Sequence, residues 1–294
     1  MLKELLAAAL EAHPGAVPDL RFLIAASDGL EGREVRDVSL VPFFGPTLQY
    51  AVTLPDYSMN GWPEVEGLES LDDLASWAET AVARNPWETR LDKWVWVGNK
   101  RTHPSRDKFI RRVEGLKESK PEVGDRLDVY HVEPSDRDRQ KPLRELVTYR
   151  HCIDLRGRGY SGRVPSLFLM GCLVWMTPRD VTQYWWPLLE EGVHYLALDG
   201  TGEDLEDKVR WAGDHEDECR AIAEAGRRRM VEIVLGTNRD RYTASTLLKA
   251  WGAGVDLPYC AADDAACLSP RDAPPAWDTW PPLGDRRDGA EGVQ

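Results

Sequence analysis

Between residues 93 and 236, short apolar runs alternate with helical patterns, and this alternation restricts the fold more than any other feature of the sequence. Strands that alternate with helices in this way form a parallel sheet with helices packed on its faces. The sequence therefore predicts an α/β protein that is built on a Rossmann-type parallel sheet.

The predicted strands are the runs WVWVGN, LDVYHV, YRHCIDL, CLVWM and HYLAL. The predicted helices cover residues 71–83, 105–116, 166–171, 184–189, 204–212 and 216–234. The first helix should end before Pro86, because proline cannot continue a helix, and Asp214 is the expected N-cap of the last one. Three parts follow: an N-terminal α/β domain over 1–92, a Rossmann-like domain over 93–236, and a C-terminal helix and flexible tail over 237–294.

The distribution of charge excludes some partners. The 294-residue chain has 37 Lys and Arg against 50 Asp and Glu, a net charge of −13, so a general nucleic-acid binder is not expected. No stretch approaches the ~20 apolar residues of a membrane span. Residues 97–163 are different, with 17 Lys and Arg against 11 Asp and Glu. This positive segment predicts a small anionic ligand that is held locally.

Three polar loops with glycines follow predicted strands, at residues 98–106, 156–163 and 199–204. Open parallel sheets bind ligands at the carboxyl ends of their strands. The first two loops also carry arginines near the start of a helix, which favours a diphosphate, and Ser161 would add a hydroxyl donor. Gly157, Gly159 and Gly162 match the spacing of a dinucleotide fingerprint, so an NAD-dependent oxidoreductase is a less favoured alternative.

Asp56 is the candidate general base. It follows an apolar run and precedes Tyr57 and Trp62, and such aromatic neighbours can raise the pKa of a carboxyl group and stack on a sugar ring. The run DRD at 136–138 has the spacing of a metal-binding pair, but its polar, basic surroundings favour a solvated loop. No metal site is therefore predicted.

The cysteines do not form a zinc-binding pattern or a disulfide scaffold. Cys152 and Cys172 lie in apolar runs and are predicted to be buried thiols. Cys260 and Cys267, in the acidic C-terminal part, could pair under oxidising conditions.

Four ordered segments are WVWVGNKRTHPSRD, DLRGRGYSGRVPSLFLMGCLVW, WWPLLEEGVHYLAL and DLEDKVRWAGDHEDECRAIAEAGRR. They resemble glycosyltransferase family 90, which includes fungal capsule-associated xylosyltransferases and animal protein O-glucosyltransferases. The resemblance covers residues 48–248 and is strongest over 94–229. It implies a GT-B-like architecture of two Rossmann-like domains, in which residues 93–236 bind the donor. Only 55 residues precede Asp56, so residues 1–92 are expected to be a shortened acceptor-side domain.

The resemblance also implies a reaction: an inverting, metal-independent transfer of glucose or xylose from a UDP-sugar to a hydroxyl of a glycan or protein acceptor. The UDP-sugar is a substrate, and no cofactor is expected. Asp56 matches the stretch that carries the family's catalytic aspartate. The residues that match the family's donor loops are Gly98, Asn99, Arg101, Thr102, Arg106, Arg156, Gly157, Ser161 and Arg163.

Two further questions stay open in the sequence. A non-catalytic relative that binds UDP beside a degenerate acceptor domain is an alternative to the enzyme. The resemblance implies the lumen of the secretory pathway, Golgi or endoplasmic reticulum, whereas no targeting signal is recognisable in the chain, so a cytoplasmic location is the alternative.

Overall fold

The computed structural model describes residues 41–42, 51–52, 70–133, 135–136, 139–157, 161–179, 183–235 and 239. Asp56, Cys260 and Cys267 lie outside these residues. The chain divides into two compact units, one of which comprises Met1–Asp56, Asp180–Leu188 and Gly236–Gln294. The other comprises Tyr57–Arg179 and Leu189–Leu235. The predicted domain boundaries near residues 92 and 236 stay predictions.

Among the described residues of the first unit, strand β1 (Val41–Pro42) pairs in parallel with strand β2 (Ala51–Val52). Trp186–Leu188 forms a short 3-10 helix where the sequence predicts an α-helix over 184–189. The prediction fails because Pro187 has no N–H to donate and its ring hinders a continuous α-helix.

Within the described part of the second unit, five strands form a sheet in which all neighbours run parallel. They are β3 (Leu91–Gly98), β4 (Leu127–His131), β5 (Tyr149–Asp154), β6 (Leu173–Met176) and β7 (Leu196–Ala197). Each overlaps a predicted run, although β3 begins three residues before WVWVGN and β7 is shorter than HYLAL. The α/β fold class and the Rossmann-type parallel sheet are thus confirmed.

In the described part of this unit the helices follow the predicted pattern with one addition, a short helix over Pro121–Gly124 that the sequence did not predict. They are α1 (Leu71–Arg84), α2 (Pro104–Ser119), α3 (Pro121–Gly124), α4 (Val164–Leu169), α5 (Leu205–Asp214) and α6 (Glu216–Val234). Three 3-10 helices cover Trp87–Thr89, Lys100–Thr102 and Leu143–Thr148. The predicted cap at Asp214 is wrong: α5 continues through Asp214, and His215 is the N-cap of α6. The ring Nδ1 of His215 lies 2.8 Å from the Trp211 carbonyl oxygen, which keeps His215 at the end of α5.

The order of the strands indicates at which edge of the sheet a ligand is expected to bind. Across the sheet the order is β4-β3-β5-β6-β7. The chain goes from β3 to β4 on one side and then crosses back to β5 on the other, so the direction of winding reverses between β3 and β5. Open parallel sheets bind ligands at this reversal, outside the carboxyl ends of the strands.

Cys152 of β5 and Cys172, the residue before β6, form a disulfide with Cα atoms 5.6 Å apart. Both are fully buried, as predicted, but the prediction of free thiols is wrong. Their strands are neighbours, since His151 pairs with Leu173 in the register, and this brings together two cysteines that are 20 residues apart in sequence. The pairing of strands is a tertiary feature that the spacing of cysteines does not reveal.

His151 occupies the core in a neutral form. Its ring is buried and stacks on Trp94 with 5.1 Å between ring centroids. Trp175 Nε1–H donates to His151 Nδ1 at 3.3 Å, and His151 Nε2 lies 3.4 Å from Asp92 Oδ1. This arrangement assigns the proton of the neutral ring to Nε2. Burial lowers the pKa of His151.

Lowering the pH from about 7.5 to about 5.5 should destabilise the protein through His151. The unfolded chain binds a proton near the ordinary pKa of 6.5, whereas the folded chain resists it, so stability falls as the pH decreases through that value. One proton accounts for up to about 1.4 kcal/mol over this range. In His151→Gln the amide replaces both hydrogen bonds without titrating. Urea unfolding should therefore show a smaller pH effect in the variant, and an equal effect would contradict the assignment.

Candidate functional site

Two loops lie at the edge of the sheet where the winding reverses, and together they contain all nine predicted donor residues. Loop A (residues 98–106) leads from the end of β3 into the first turn of α2, and loop B (residues 155–163) leads from β5 to α4. The predicted residues of loop A are Gly98, Asn99, Arg101, Thr102 and Arg106. Those of loop B are Arg156, Gly157, Ser161 and Arg163. The structure therefore brings the two predicted sets to one edge of the sheet.

Arg106 joins the two loops. From the first turn of α2 its guanidinium donates to Asn99 O of loop A at 3.2 Å, to Leu155 O of loop B at 2.8 Å and to Arg156 O at 2.7 Å. The three acceptors are backbone carbonyls that would otherwise need other partners. Arg106 thus links the backbones of both loops.

Arg163 makes the reciprocal link from loop B to β3. Its Nη1 donates to Val97 O at 3.0 Å. Its guanidinium lies 5.9 Å from the centre of the Trp96 ring, and that of Arg106 lies 5.3 Å from the same ring. Both cations lie within the range of a cation–π interaction. One buried indole therefore supports an arginine from each loop.

Asp154, the last residue of β5, is fully buried among cationic and polar groups. Its Oδ1 accepts the hydroxyl of Ser161 at 2.7 Å and lies 3.9 Å from Nε of Arg163. Its Oδ2 accepts a hydrogen bond from Nη2 of Arg179, which follows β6. A carboxylate only accepts, so the proton of Ser161 points to Asp154. The hydroxyl that the sequence predicts as a ligand donor is engaged by the protein in this structure.

The electrostatics of the edge are dominated by guanidinium groups. Burial and then the charge of Arg163 lower the pKa of Arg106 to about 10, and burial lowers the pKa of Arg163 to about 10. Burial and then the charge of Arg106 lower the pKa of Arg179 to about 10 as well. All three remain charged at neutral pH, and among the described residues Asp154 is a carboxylate that faces Arg163 and Arg179. Within the described part of the chain the cluster therefore holds more positive than negative groups, as an anion site does.

Loop A is ordered by its own polar groups. Asn99 Oδ1 accepts the Arg101 N–H at 2.9 Å, and the Thr102 hydroxyl donates to Asn99 O at 3.0 Å. The Arg101 side chain is 73% exposed and pairs with Glu133 at 3.0 Å. An exposed ion pair is weak, so Arg101 can exchange Glu133 for an anionic ligand at little cost.

The two glycines lie where a side chain would crowd the site. A Cβ on Gly157 would lie 3.3 Å from Nη2 of Arg106, and one on Gly98 would lie 3.0 Å from the Trp96 ring. Arg156 also contributes through its backbone, since its N–H donates to Thr177 Oγ1 at 2.9 Å. This contact connects loop B with the segment after β6.

The third predicted loop, residues 199–204, closes on itself. Asp199 Oδ1 accepts from the N–H and the hydroxyl of Thr201 and from the Glu203 N–H, while Asp204 Oδ1 accepts the Asp199 N–H. Its carboxylates thus support the turn that begins α5. At the DRD run, Asp136 lies 3.8 Å from Arg139, and Asp138 is outside the described residues.

Two features are absent from the part of the chain that the structure describes. No three side chains among His, Cys, Asp and Glu in this part of the chain gather closely enough to hold a metal ion. In the same part, no helix combines the length and apolar character needed to cross a membrane.

The sequence of the whole chain was compared with known families. The family model described as Glycosyl transferase family 90 matches residues 3–251. The chain belongs to this family. The predicted resemblance is therefore confirmed.

Curated relatives of this family 90 chain include insect, fish and mammalian proteins. An O-glucosyltransferase rumi homolog of Aedes aegypti is 29% identical over 153 residues, 48% of this chain and 36% of that protein. Protein O-glucosyltransferase 2 of Danio rerio is 23% identical over 220 residues, 71% of this chain and 43% of that protein. Protein O-glucosyltransferase 1 of Bos taurus is 23% identical over 226 residues, which are 72% of this chain and 57% of that protein. The chain thus spans between about a third and three fifths of these relatives.

Four residues of the cluster at this edge were not predicted from the sequence. They are Trp96, which supports both arginines, Asp154, Thr177 and Arg179. Asp154, Thr177 and Arg179 each stand at or just after the carboxyl end of a predicted strand, and that position could have marked them. Trp96 had no such signal, because it lies within a strand among other apolar residues.

Removing the Arg106 guanidinium should loosen both loops. We expect Arg106→Ala to lose about 2 kcal/mol of stability, because three carbonyls in part-buried hydrogen bonds lose a charged donor. Amide hydrogen exchange should become faster in residues 98–102 and 155–157. Arg111→Ala is the matched control on the same helix, since Arg111 is 70% exposed and pairs with Asp107. Equal exchange in the two variants would show that Arg106 does not hold the loops.

Proposed function

We propose that this chain is an inverting, metal-independent glycosyltransferase that moves glucose or xylose from a UDP-sugar to a hydroxyl of a glycan or protein acceptor. The observation that carries the proposal is the cluster of Arg106, Arg163 and Arg179 at the winding reversal. The excess positive charge of this cluster suits a nucleoside diphosphate, and arginine forks match phosphate oxygens.

The reaction assigns a role to each group. The acceptor oxygen attacks the anomeric carbon from the face opposite the diphosphate, its bond to that carbon forms as the bond to the diphosphate oxygen breaks, and UDP leaves. Asp56 takes the proton of the acceptor hydroxyl. Arg163 and Arg101 stabilise the negative charge that builds on the leaving diphosphate, and donors of this kind act most strongly where water is excluded.

The relatives favour one donor sugar and one acceptor class. Three of them bear names that denote O-glucosyltransferases, two of these with the word protein in the name. We therefore place glucose before xylose as the donor sugar and a protein hydroxyl before a glycan hydroxyl as the acceptor. Release of UDP from UDP-glucose, UDP-xylose and UDP-galactose, each measured with and without acceptor, tests this order.

Two other functions predict different binding. A non-catalytic relative would bind UDP but release none from a UDP-sugar in the presence of acceptors. An NAD-dependent oxidoreductase would bind NAD and not UDP. The charge at the reversal supports a diphosphate in either nucleotide, so calorimetric titrations with UDP and with NAD separate these functions.

Arg163→Ala should weaken UDP binding and slow transfer together, because this guanidinium faces charge in the bound donor and in the transition state. The loss in transfer should be about 3 kcal/mol. Asp56→Asn should abolish transfer and leave UDP affinity unchanged, because only the base is removed. Calorimetry with UDP and an assay of UDP release measure the two effects.

The matched control for charge is Arg139→Ala, since Arg139 belongs to the same positive segment and is 61% exposed. This variant should change neither the UDP affinity nor the rate of transfer. Near-full transfer by Asp56→Asn would refute the assignment of the base. Unchanged UDP affinity in Arg163→Ala would refute the proposed diphosphate contact.

We further propose that the chain functions in the lumen of the secretory pathway. The disulfide between Cys152 and Cys172 supports this location, because such bonds persist in oxidising compartments and are rare in the cytosol. The cytoplasmic alternative predicts that both cysteines are reduced in the native protein.

Alkylation of the unfolded, unreduced protein should therefore modify Cys219 and leave Cys152 and Cys172 unmodified. Cys219 is the free, buried cysteine of the described residues, and burial raises the pKa of its thiol to about 12, so it should react only after unfolding. Peptide mapping by mass spectrometry measures the three sites. Alkylation of Cys152 and Cys172 without reductant would contradict the disulfide.

A further inference from the structure

We propose that Asp154 is a positioning residue, which holds the Ser161 hydroxyl and the Arg163 and Arg179 guanidinium groups in the arrangement that receives the donor diphosphate. This proposal rests on the proposed function and adds a residue to it. Asp154 itself is not expected to contact the donor, because its carboxylate would repel phosphate.

The burial of Asp154 requires partners. Its side chain is 0% exposed, and a buried carboxylate is costly unless it is paired and hydrogen-bonded. One oxygen accepts from Ser161 at 2.7 Å and faces Arg163 Nε at 3.9 Å, and the other binds Arg179. Both oxygens are thus engaged by groups that come from loop B or from the segment after β6.

These contacts hold Ser161 and Arg163 of loop B near the end of β5. The chain leaves β5 at Asp154, and the hydrogen bond brings Ser161, seven positions later in the sequence, back to the end of that strand. The main chain of Asp154 adds a second tie, since its carbonyl accepts the Thr177 N–H at 3.1 Å. One carboxylate therefore contacts both of the predicted ligand groups, at residues 161 and 163.

The same carboxylate allows the guanidinium groups to lie close together. Arg163 and Arg179 both face Asp154, and the charge of Arg106 also acts on Arg179. The charge of Asp154 reduces the repulsion among these three guanidinium groups. Among the described residues of the cluster the positive groups still outnumber this carboxylate, and the side chains keep a defined geometry.

Asp128 provides a matched control in the neighbouring strand β4. It too is a carboxylate that accepts from a hydroxyl, that of Tyr149, and lies near a cation, with Lys141 Nζ at 3.4 Å. It pairs in the register with Val95, three residues before the end of β3, and is therefore away from the carboxyl edge. A general loss of a carboxylate–hydroxyl pair would affect both sites, whereas a positioning role would appear only at Asp154.

The test measures UDP affinity by calorimetry and melting temperature for wild type, Asp154→Ala, Asp154→Asn and Asp128→Ala. We expect Asp154→Ala to weaken UDP binding by about 10- to 100-fold, the usual effect of losing a group that orients a ligand-contacting residue. Asp154→Asn should recover part of the affinity, because its amide oxygen still accepts from Ser161 at nearly unchanged volume. Asp128→Ala should stay within about twofold of wild type.

A double-mutant cycle with Ser161→Ala separates positioning from general destabilisation. If Asp154 acts partly through Ser161, the effects of Asp154→Ala and Ser161→Ala on UDP affinity should be less than additive, whereas those of Asp128→Ala and Ser161→Ala should add. If Asp154→Ala does not fold, Asp154→Asn carries the test, because it removes the charge that faces Arg163 and Arg179 and should still bind UDP more weakly than wild type.

The outcomes distinguish the two proposals. If wild type binds no UDP, the proposed function fails and the role of Asp154 fails with it. If wild type binds UDP but the Asp154 variants bind it equally well, or if the cycle is additive, the positioning role is overturned and the proposed function stands.

Discussion

The site depends on two arginines that share one indole at the carboxyl edge of the sheet. Arg106 and Arg163 come from different loops, and both lie over Trp96. Their hydrogen bonds go to backbone carbonyls, on Asn99, Leu155, Arg156 and Val97. A carbonyl satisfies a guanidinium N–H without neutralising its charge. The loops are therefore held together by groups that stay positive, and this combination of order and charge is what an anion site needs.

The sheet explains why these groups can meet. Its winding reverses between β3 and β5, so loops A and B leave adjacent strands at the same edge. Groups of a different kind lie toward the amino ends, where His151 is held neutral beside Asp92 and the Cys152–Cys172 disulfide joins two strands. The His151 contacts and the disulfide thus lie away from the charged cluster at the carboxyl edge. Substitutions at the amino end can change stability without altering the charge at the ligand edge.

The elements could be predicted because their signals are local. Apolar runs identified the five strands that the structure describes in the second unit, and helical spacing identified α6 to the residue. The errors also have local causes, since Pro187 limits one helix to a 3-10 turn and α5 continues through Asp214. The nine predicted donor residues were selected from glycines, arginines and a family resemblance, and the structure places them at one edge. Their roles, and that of Asp56, stay predictions.

The sequence by itself determined the α/β class, the location of the two polar loops and the positive segment that contains them, because each depends on residues that are near one another in the chain. Only the tertiary structure decided which partners these residues have. The hydrogen bond from Arg106 to Leu155 joins residues 49 positions apart in the sequence, and that from Arg163 to Val97 joins residues 66 positions apart. The disulfide joins Cys152 and Cys172, which are 20 positions apart. Such contacts follow from the order of strands in the sheet, which hydrophobic periodicity does not specify. The burial of Asp154 among arginines is of the same kind, because a strand-end aspartate has the same local pattern whether it faces water or a cation.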